Sequence, residues 1–436
     1  MKLNTKVEKF YTHEGAVACH INPEQQLKRS VMSCLLWEDS FYEDGISISD
    51  RIKKLIPKVE PLKVVQIARD ARDKMNLRHI PLLIVREMAR YNSHKKYVAR
   101  TLSHIIKRPD ELTEFLAIYW QDKKCPLSKK VKQGLAHAFN KFNEYQLAKY
   151  NRDEKIKLRD VLFLCHAKPK DQEQESLWKK LINNELKTPD TWEVALSAGK
   201  NKKETFERLM LEKKLGALAT LRNLRNMQES GIDKNVVVNY LNSINLDKVL
   251  PFRFIAAANE VPQWEDILET PMLKLLNDTQ KDSMSTVLLI DVSGSMQNKL
   301  SSKSKMTRLD TACSIAILAR EIYTNIEIFT FSNQIVQCAP RRGFALKDCI
   351  CTSQHHGGTE LGKAINIINL SNFQNSRIIV ITDEQSSDTV IPSKFKQSYM
   401  INVGVNKNGI GYGKWTHIDG FSSNVLEFIK NIEGRD

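Results

Sequence analysis

With 436 residues, 42% of them hydrophobic and 27% charged, the chain has the size and composition of two or three soluble globular domains, not of a disordered or low-complexity protein. No apolar run approaches the roughly 20 residues of a membrane-spanning helix, so no membrane partner is expected. The net charge of +15 is uneven: residues 1–280 carry 49 Lys and Arg against 37 Asp and Glu, the remainder 17 against 14. A basic first part attracts polyanions through phosphate neutralisation and counterion release, and charge alone fits RNA, DNA or an acidic protein equally.

In chain order, residues 1–25 read as a polar arm, with His13, Cys19 and His20 part of it and not a metal site. The start, Met1 to Lys6, has no signal-peptide core, and the eight cysteines include no Cys-x-x-Cys. Free thiols in a reducing cytoplasm follow, with no disulfide or zinc site. Cys349-Ile350-Cys351 is the only close pair, read as strand with side chains on opposite faces.

Helical periodicity begins near Glu24 and runs to about residue 270. Helices are predicted over 62–74, 80–91, 97–106, 111–120, 128–141, 158–166, 174–184, 191–197, 203–229 and 236–244. Short helices in series with polar or Pro-containing joints point to stacked pairs of the HEAT type, although no exact repeat period is present. The segment 128–141 places Lys129 and Lys132 three apart on one face, with Lys141 farther along, opposite Leu135 and Phe139. Tyr145, Tyr150, Asn151 and Arg152 follow, mixing rings that stack with groups that bind phosphate. His79 and His104 sit among apolar neighbours and read as core or groove histidines.

The chain divides into a helical domain at 1–270, a linker at 271–282 and a strand–helix alternating domain at 283–436. Strands are predicted at 286–290, 326–331, 334–338, 377–381 and 398–403, and helices at 308–323, 359–369 and 424–432, which makes a doubly wound sheet. Ser285 to Ile290 is an apolar run without alternation, the mark of a parallel strand buried on both faces. It breaks into Asp291-Val292-Ser293-Gly294-Ser295, at the strand end where such sheets keep their ligands. One carboxylate and two hydroxyls are hard donors suited to Mg²⁺. Thr359 at a helix start and Asp383 at the end of a second buried strand offer further oxygens. The plainer alternative is that the Asp and Ser residues only cap a turn. A haloacid-dehalogenase phosphatase needs a second Asp where Ser293 stands, and no Gly-x-Ser-x-Gly elbow is present, so neither hydrolase reading holds.

Asp291, Ser293, Ser295, Thr359 and Asp383 together resemble the metal-ion-dependent adhesion site of the von Willebrand factor A fold, which implies Mg²⁺ or Mn²⁺ held directly or through water. In the first half, Pro23 to Val31, Leu35 to Gly45, Leu77 to Leu83, Arg108 to Leu112, Phe142 to Asn151 and Leu164 to Lys170 resemble the TROVE module. TROVE followed by an A domain is the layout of the Ro autoantigen family, here resembling its compact bacterial members. The resemblance implies a HEAT-like helical ring joined to a Rossmann-like A domain in a monomer without catalytic activity. It also implies that small noncoding Y RNA binds the outer surface and single-stranded 3′ ends of misfolded or immature RNAs enter the hole, with an exoribonuclease as partner in quality control or decay. His166 and Lys168 match the helix-end residues of the family that contact Y RNA, and Arg78 is a candidate for the hole. Two departures, Glu360-Leu361 after Gly-Gly-Thr and Glu384 after Asp383, add negative charge beside the metal ligands. The runner-up function is a protein-interaction scaffold whose metal grips an acidic residue of its partner.

Overall fold

The computed structural model describes residues 10–11, 16–20, 22–33, 45–75, 77–246, 249, 251–277, 280–300, 305–371, 376–404 and 410–419, with residues 425–426, 429–430 and 433 beyond them. They form two compact units.

The first unit is helical: α1 Pro23–Ser33, α2 Gly45–Leu55, α3 Pro61–Asp73, α4 His79–Met88, α5 Lys95–Ile105, α6 Asp110–Tyr119, α7 Lys129–Phe139, α8 Glu144–Tyr150, α9 Leu158–Cys165 and α10 Gln172–Asn183. Odd helices pack on odd ones, α3 on α5, α5 on α7 and α7 on α9, while α4 packs on α6. Alternate helices thus stack in layers, as the HEAT-type expectation requires. The apolar stripe of α7 shows why: Val131, Leu135, Ala138 and Phe139 are buried while Lys129, Lys130 and Gln133 face water. Each such buried Leu or Val contributes about 1.5–3 kcal/mol. Gly134 lets α7 approach α5, because a Cβ there would lie 2.9 Å from Leu102 Cβ and 3.0 Å from the Ala99 carbonyl. Ser128 caps α7 by accepting from the Val131 amide.

The second unit continues with α11 Trp192–Ser197, α12 Lys202–Leu211, α13 Ala217–Glu229, α14 Lys234–Ser243, α15 Pro251–Glu260 and α16 Glu265–Asn277. The single helix predicted over 203–229 is broken. Lys213 takes a left-handed φ of 53°, the amides of Lys214 and Leu215 turn back to the Leu209 carbonyl, and Gly216 starts the next helix. Residues 271–277, expected as linker, belong to α16, with Pro271 inside the helix.

Strands β1 Phe10–Tyr11, β2 Val17–His20, β3 Thr286–Asp291, β4 Ile326–Phe331, β5 Ile335–Gln337, β6 Arg377–Thr382, β7 Gln397–Asn402, β8 Ile410–Gly411 and β9 Thr416–Asp419 complete the unit with α17 Arg308–Ile322, α18 Gly343–Cys351 and α19 Leu361–Asn369. The main sheet has the order β5-β4-β3-β6-β7-β9, parallel except for β5 at one edge. β3 and β6 are buried along their whole length because helices cover both faces. The expected polar arm instead contributes β1 and β2 to a small separate sheet, in which β2 pairs antiparallel with β1 on one side and β8 on the other. His13 lies outside the described residues, as does most of the helix predicted at 424–432. Cys349 and Cys351 sit on helix α18 and not on a strand. Cys125, Cys165, Cys313, Cys338, Cys349 and Cys351 are free thiols, as expected.

Candidate metal loops and basic face

β3 has β4 on one side and β6 on the other, so its carboxyl end opens at the switch point of the sheet. Asp291 stands there fully buried. Its Oδ1 accepts the Ser293 amide at 2.8 Å and its Oδ2 accepts the Thr382 hydroxyl at 2.6 Å. The Ser293 and Ser295 hydroxyls lie 3.3 Å apart. A second loop docks on the first, with the Gly294 amide donating to the Gly357 carbonyl at 3.0 Å, and it carries Thr359, which is 7% exposed. The Thr359 carbonyl in turn accepts the Ser387 amide at 2.9 Å, which binds in the loop after β6. His356 braces the arrangement, one ring nitrogen 2.5 Å from the Val292 carbonyl and the other 3.1 Å from that of Cys351.

Asp383, directly after β6, is fully buried, and its Oδ2 accepts from Arg308 Nη1 at 2.7 Å. The Ser295 hydroxyl is near enough to steady its charge. Even so, Asp383 Oδ1 has no hydrogen-bond partner in good geometry among the described residues. Burial raises Asp383 above the usual carboxylate range, against the pull of Arg308. Burial, then the neighbouring Asp383 charge, pushes Asp291 up to about 7. Two buried carboxylates, both raised by burial and one with an orphaned oxygen, beside two close hydroxyls form a donor set that fits a hard divalent cation. All five sequence-predicted ligands stand on loops that touch one another.

The two added acids are already engaged. Glu360 accepts from Lys363 Nζ at 2.8 Å, and Glu384 accepts from His417 Nδ1 at 2.9 Å, where the other ring nitrogen takes the Tyr412 amide. The expectation that they repel an acidic ligand is weakened accordingly. Sequence reasoning missed Thr382, His356 and above all Arg308. The last had a signal: Thr307-Arg308-Leu309-Asp310 is a capping box, and a cation in a first helical turn runs against the helix dipole unless an anion meets it.

In the helical unit, His166 caps the carboxyl end of α9 in a left-handed conformation, φ 53°, as an exposed residue. Lys132 on α7 donates to its Nε2 at 3.4 Å. Both line an open cleft of about 500 Å³ together with Trp120, Lys124, Phe163 and Leu164. Phe163 is 57% exposed, and the Lys124 ammonium lies 5.5 Å from the Trp120 ring centre. Lys129 on the same face of α7 and Lys168 just beyond His166 are both exposed. Cations and apolar rings therefore share one surface.

The other candidates are elsewhere. The Lys141 ammonium donates to the carbonyls of Ser103 and Ile106 at the end of α5, where burial lowers its pKa, while the residue as a whole stays exposed. Arg78 forms ion pairs with Asp110 at 2.9 Å and Glu114 at 2.6 Å, and lies 3.6 Å from Glu111. Both cations therefore also serve the helix scaffold. Arg152 is exposed after α8, and the Tyr150 ring beside it is covered by Arg108 at 4.6 Å. Of the two readings for His79 and His104, core or groove, the core one does not hold: both are about two-fifths exposed and paired with Glu114 and Asp73.

Comparison with known proteins bears on the family and the fold. The TROVE domain model matches residues 5–185 and 183–322, and the von Willebrand factor type A domain model matches 286–385. Telomerase protein component 1 of Rattus norvegicus is 23% identical over 309 residues, half of this chain, which spans 12% of that relative's length. The crystal structure of the Ro protein of Deinococcus radiodurans superposes with a TM-score of 0.66 at 15% identity, over 95% of this chain and 100% of that one, and shows the shared fold. With the TROVE model matching most of the chain and an A-domain model matching 286–385, the chain belongs to the TROVE family.

Proposed function

We propose that the protein is a non-catalytic RNA-binding protein of the cytoplasm. It binds a small structured noncoding RNA of the Y type on the basic face of α7 and α9, and single-stranded 3′ ends of misfolded or immature RNAs elsewhere on its helical part. An exoribonuclease is the partner in this reading, and the protein acts as a monomer. The observation that carries it is the cleft where Lys132 meets His166 beside Trp120, Phe163 and Leu164. Ammonium groups neutralise phosphates there, and exposed rings offer faces on which unpaired bases stack. Lys129 and Lys168 extend the cationic surface, and Arg152 is a peripheral phosphate contact.

In the same reading Asp291, Ser293, Ser295, Thr359 and Asp383 hold Mg²⁺ or Mn²⁺. The ion would supply a positive centre able to accept one more oxygen ligand. Asp291 and Asp383 give charge, the hydroxyls give neutral oxygens, and Thr382 and the Ser293 amide fix the angle of Asp291. The alternative reading, a metal-dependent scaffold for an acidic protein, uses these loops as its main contact.

The test is crosslinking and sequencing of RNA bound in the native cells, beside the Lys132→Ala/His166→Ala/Lys168→Ala variant. One small structured RNA enriched with the wild type, and bound about tenfold or more weakly by the variant in titration, is the expected result. Background RNA in both samples, together with loss of a protein partner on Asp291→Ala, would replace this reading with the scaffold.

A further inference from the structure

Arg308 has an unusual position. It occupies the first turn of α17, where the positive end of the helix dipole disfavours a cation, and its side chain is only 2% exposed. Its Nη1 lies 2.7 Å from Asp383 Oδ2. The fit is built into the neighbouring backbone. A Cβ on Gly404 would stand 2.7 Å from Asp383 Cβ and 3.5 Å from Arg308 Cζ, so glycine makes room for the pair. The Arg308 amide is tied to the Asn298 carbonyl at 3.0 Å, and the Thr307–Asp310 capping box fixes the turn. A buried guanidinium held this way is a fixed positive charge. It neutralises one of the two carboxylates that a divalent ion would neutralise, and it repels any ion on the other side of Asp383.

We propose that Arg308 is a built-in counter-cation of the loop site: its guanidinium holds the loops together without a metal and makes a bound divalent ion weak and exchangeable. The inference rests on the metal reading of these loops. It adds that the site is tuned for low affinity, so that an ion, and any ligand completing its shell, comes and goes at cellular concentrations.

The experiment uses the full chain and Mn²⁺ as the probe. Binding is followed by electron paramagnetic resonance, and thermal unfolding is recorded with and without millimolar Mg²⁺. Arg308→Gln keeps a hydrogen-bond donor and removes the charge. It should bind Mn²⁺ about tenfold or more tightly than the wild type, and Arg308→Lys should stay near the wild type. Without metal the Gln variant should melt lower than the wild type, and Mg²⁺ should restore it by a larger shift than the wild type shows. Wild-type Mn²⁺ affinity in the Gln variant, or weaker binding, overturns the role of Arg308 and leaves the metal reading standing. No Mn²⁺ binding in either protein, or binding that survives Asp291→Asn in the Gln background, overturns the metal reading and the inference with it. Should the Gln variant be unfolded without metal, refolding in Mg²⁺ supports the exchange of one cation for the other, and failure to refold overturns it.

Discussion

The basic face of α7 and α9 and the loops at the head of β3 are both polar surfaces, but their atoms are fixed to very different degrees. On the basic face, Lys129, His166 and Lys168 are exposed, and the His166 ring is met by Lys132 at 3.4 Å. At the loops, Asp291 is bonded at both oxygens, Asp383 is held by a buried Arg308, and three loops are tied amide to carbonyl. The first arrangement gives affinity as a sum of small, screened terms, so no one residue decides it. The second is cooperative, so loss of one partner leaves a buried polar group unpaid.

The largest expected effect breaks the comparison at its exposed side. If RNA binding uses 6–10 phosphate contacts, affinity falls by about 10³–10⁵ between 50 and 200 mM salt, with Lys132→Ala lowering the slope by about one contact. Titration of labelled RNA at several salt concentrations reads this, and a flat response removes the basic face from the binding account. Next comes a buried charge of the helical unit. Arg72 donates to Glu111 at 2.7 Å and to the Ile105 carbonyl at 2.7 Å, while the other oxygen of Glu111 takes the amides of Lys107 and Arg108. Arg72→Ala removes the charged donor from one oxygen of Glu111, which keeps the two amides and has Arg78 3.6 Å away, and about 1.5–3 kcal/mol should be lost in urea unfolding. A loss below about 1 kcal/mol would mean that water reaches Glu111 and the pair is effectively a surface one.

Lys141 sharpens the contrast between a lysine that binds and a lysine that builds. Its ammonium completes the carbonyl end of α5, so Lys141→Ala should cost about 0.5–1.5 kcal/mol of stability and leave the salt slope of RNA binding unchanged. An altered slope with unaltered stability would return Lys141 to the RNA surface.

Sequence pattern carried the sheet and the placement of the five candidate ligands because the segments that hold them sit at changes of period: an apolar run that stops at Asp291, another that stops at Asp383, and a helix that starts just after Thr359. It carried the stacked helices because their apolar stripes repeat at helical spacing. It missed what depends on contacts far apart in the chain. Arg308 meets Asp383 across 75 positions and Thr382 meets Asp291 across 91, and no local pattern announces either. Lys141 and Arg78 look like any other surface cations in sequence, and only the carbonyls and carboxylates opposite them reveal structural work. The pairing of β2 with β8 was hidden for the same reason, since the strands are short and their partners come from opposite ends of the chain.

Acid should affect the two units in opposite directions, and the signs follow from burial. His94 is 1% exposed in the helical unit, and burial lowers its pKa below the ordinary value. The unfolded chain takes up a proton near pH 6.5 while the folded ring resists it. Stability is therefore full above about 6.5 and falls as pH drops through it, with a slope of at most about 1.4 kcal/mol per pH unit. Asp291 has the reverse shift. With metal chelated, folded Asp291 keeps its proton up to about 7, while the unfolded chain releases it near the ordinary carboxylate value, about 3.9. The loop site is then most favourable at low pH and loses stability as pH rises toward about 7. Hydrogen exchange at about pH 5.5 and about 7.5, corrected for intrinsic rates and with chelator present, separates the two. At the lower pH, amides of α3 to α7 should lose protection and those of β3 and β6 should gain it. His94→Gln should flatten the first change alone. Parallel changes in both sets would mean that net charge, and not these two buried groups, sets the response of the protein to acid.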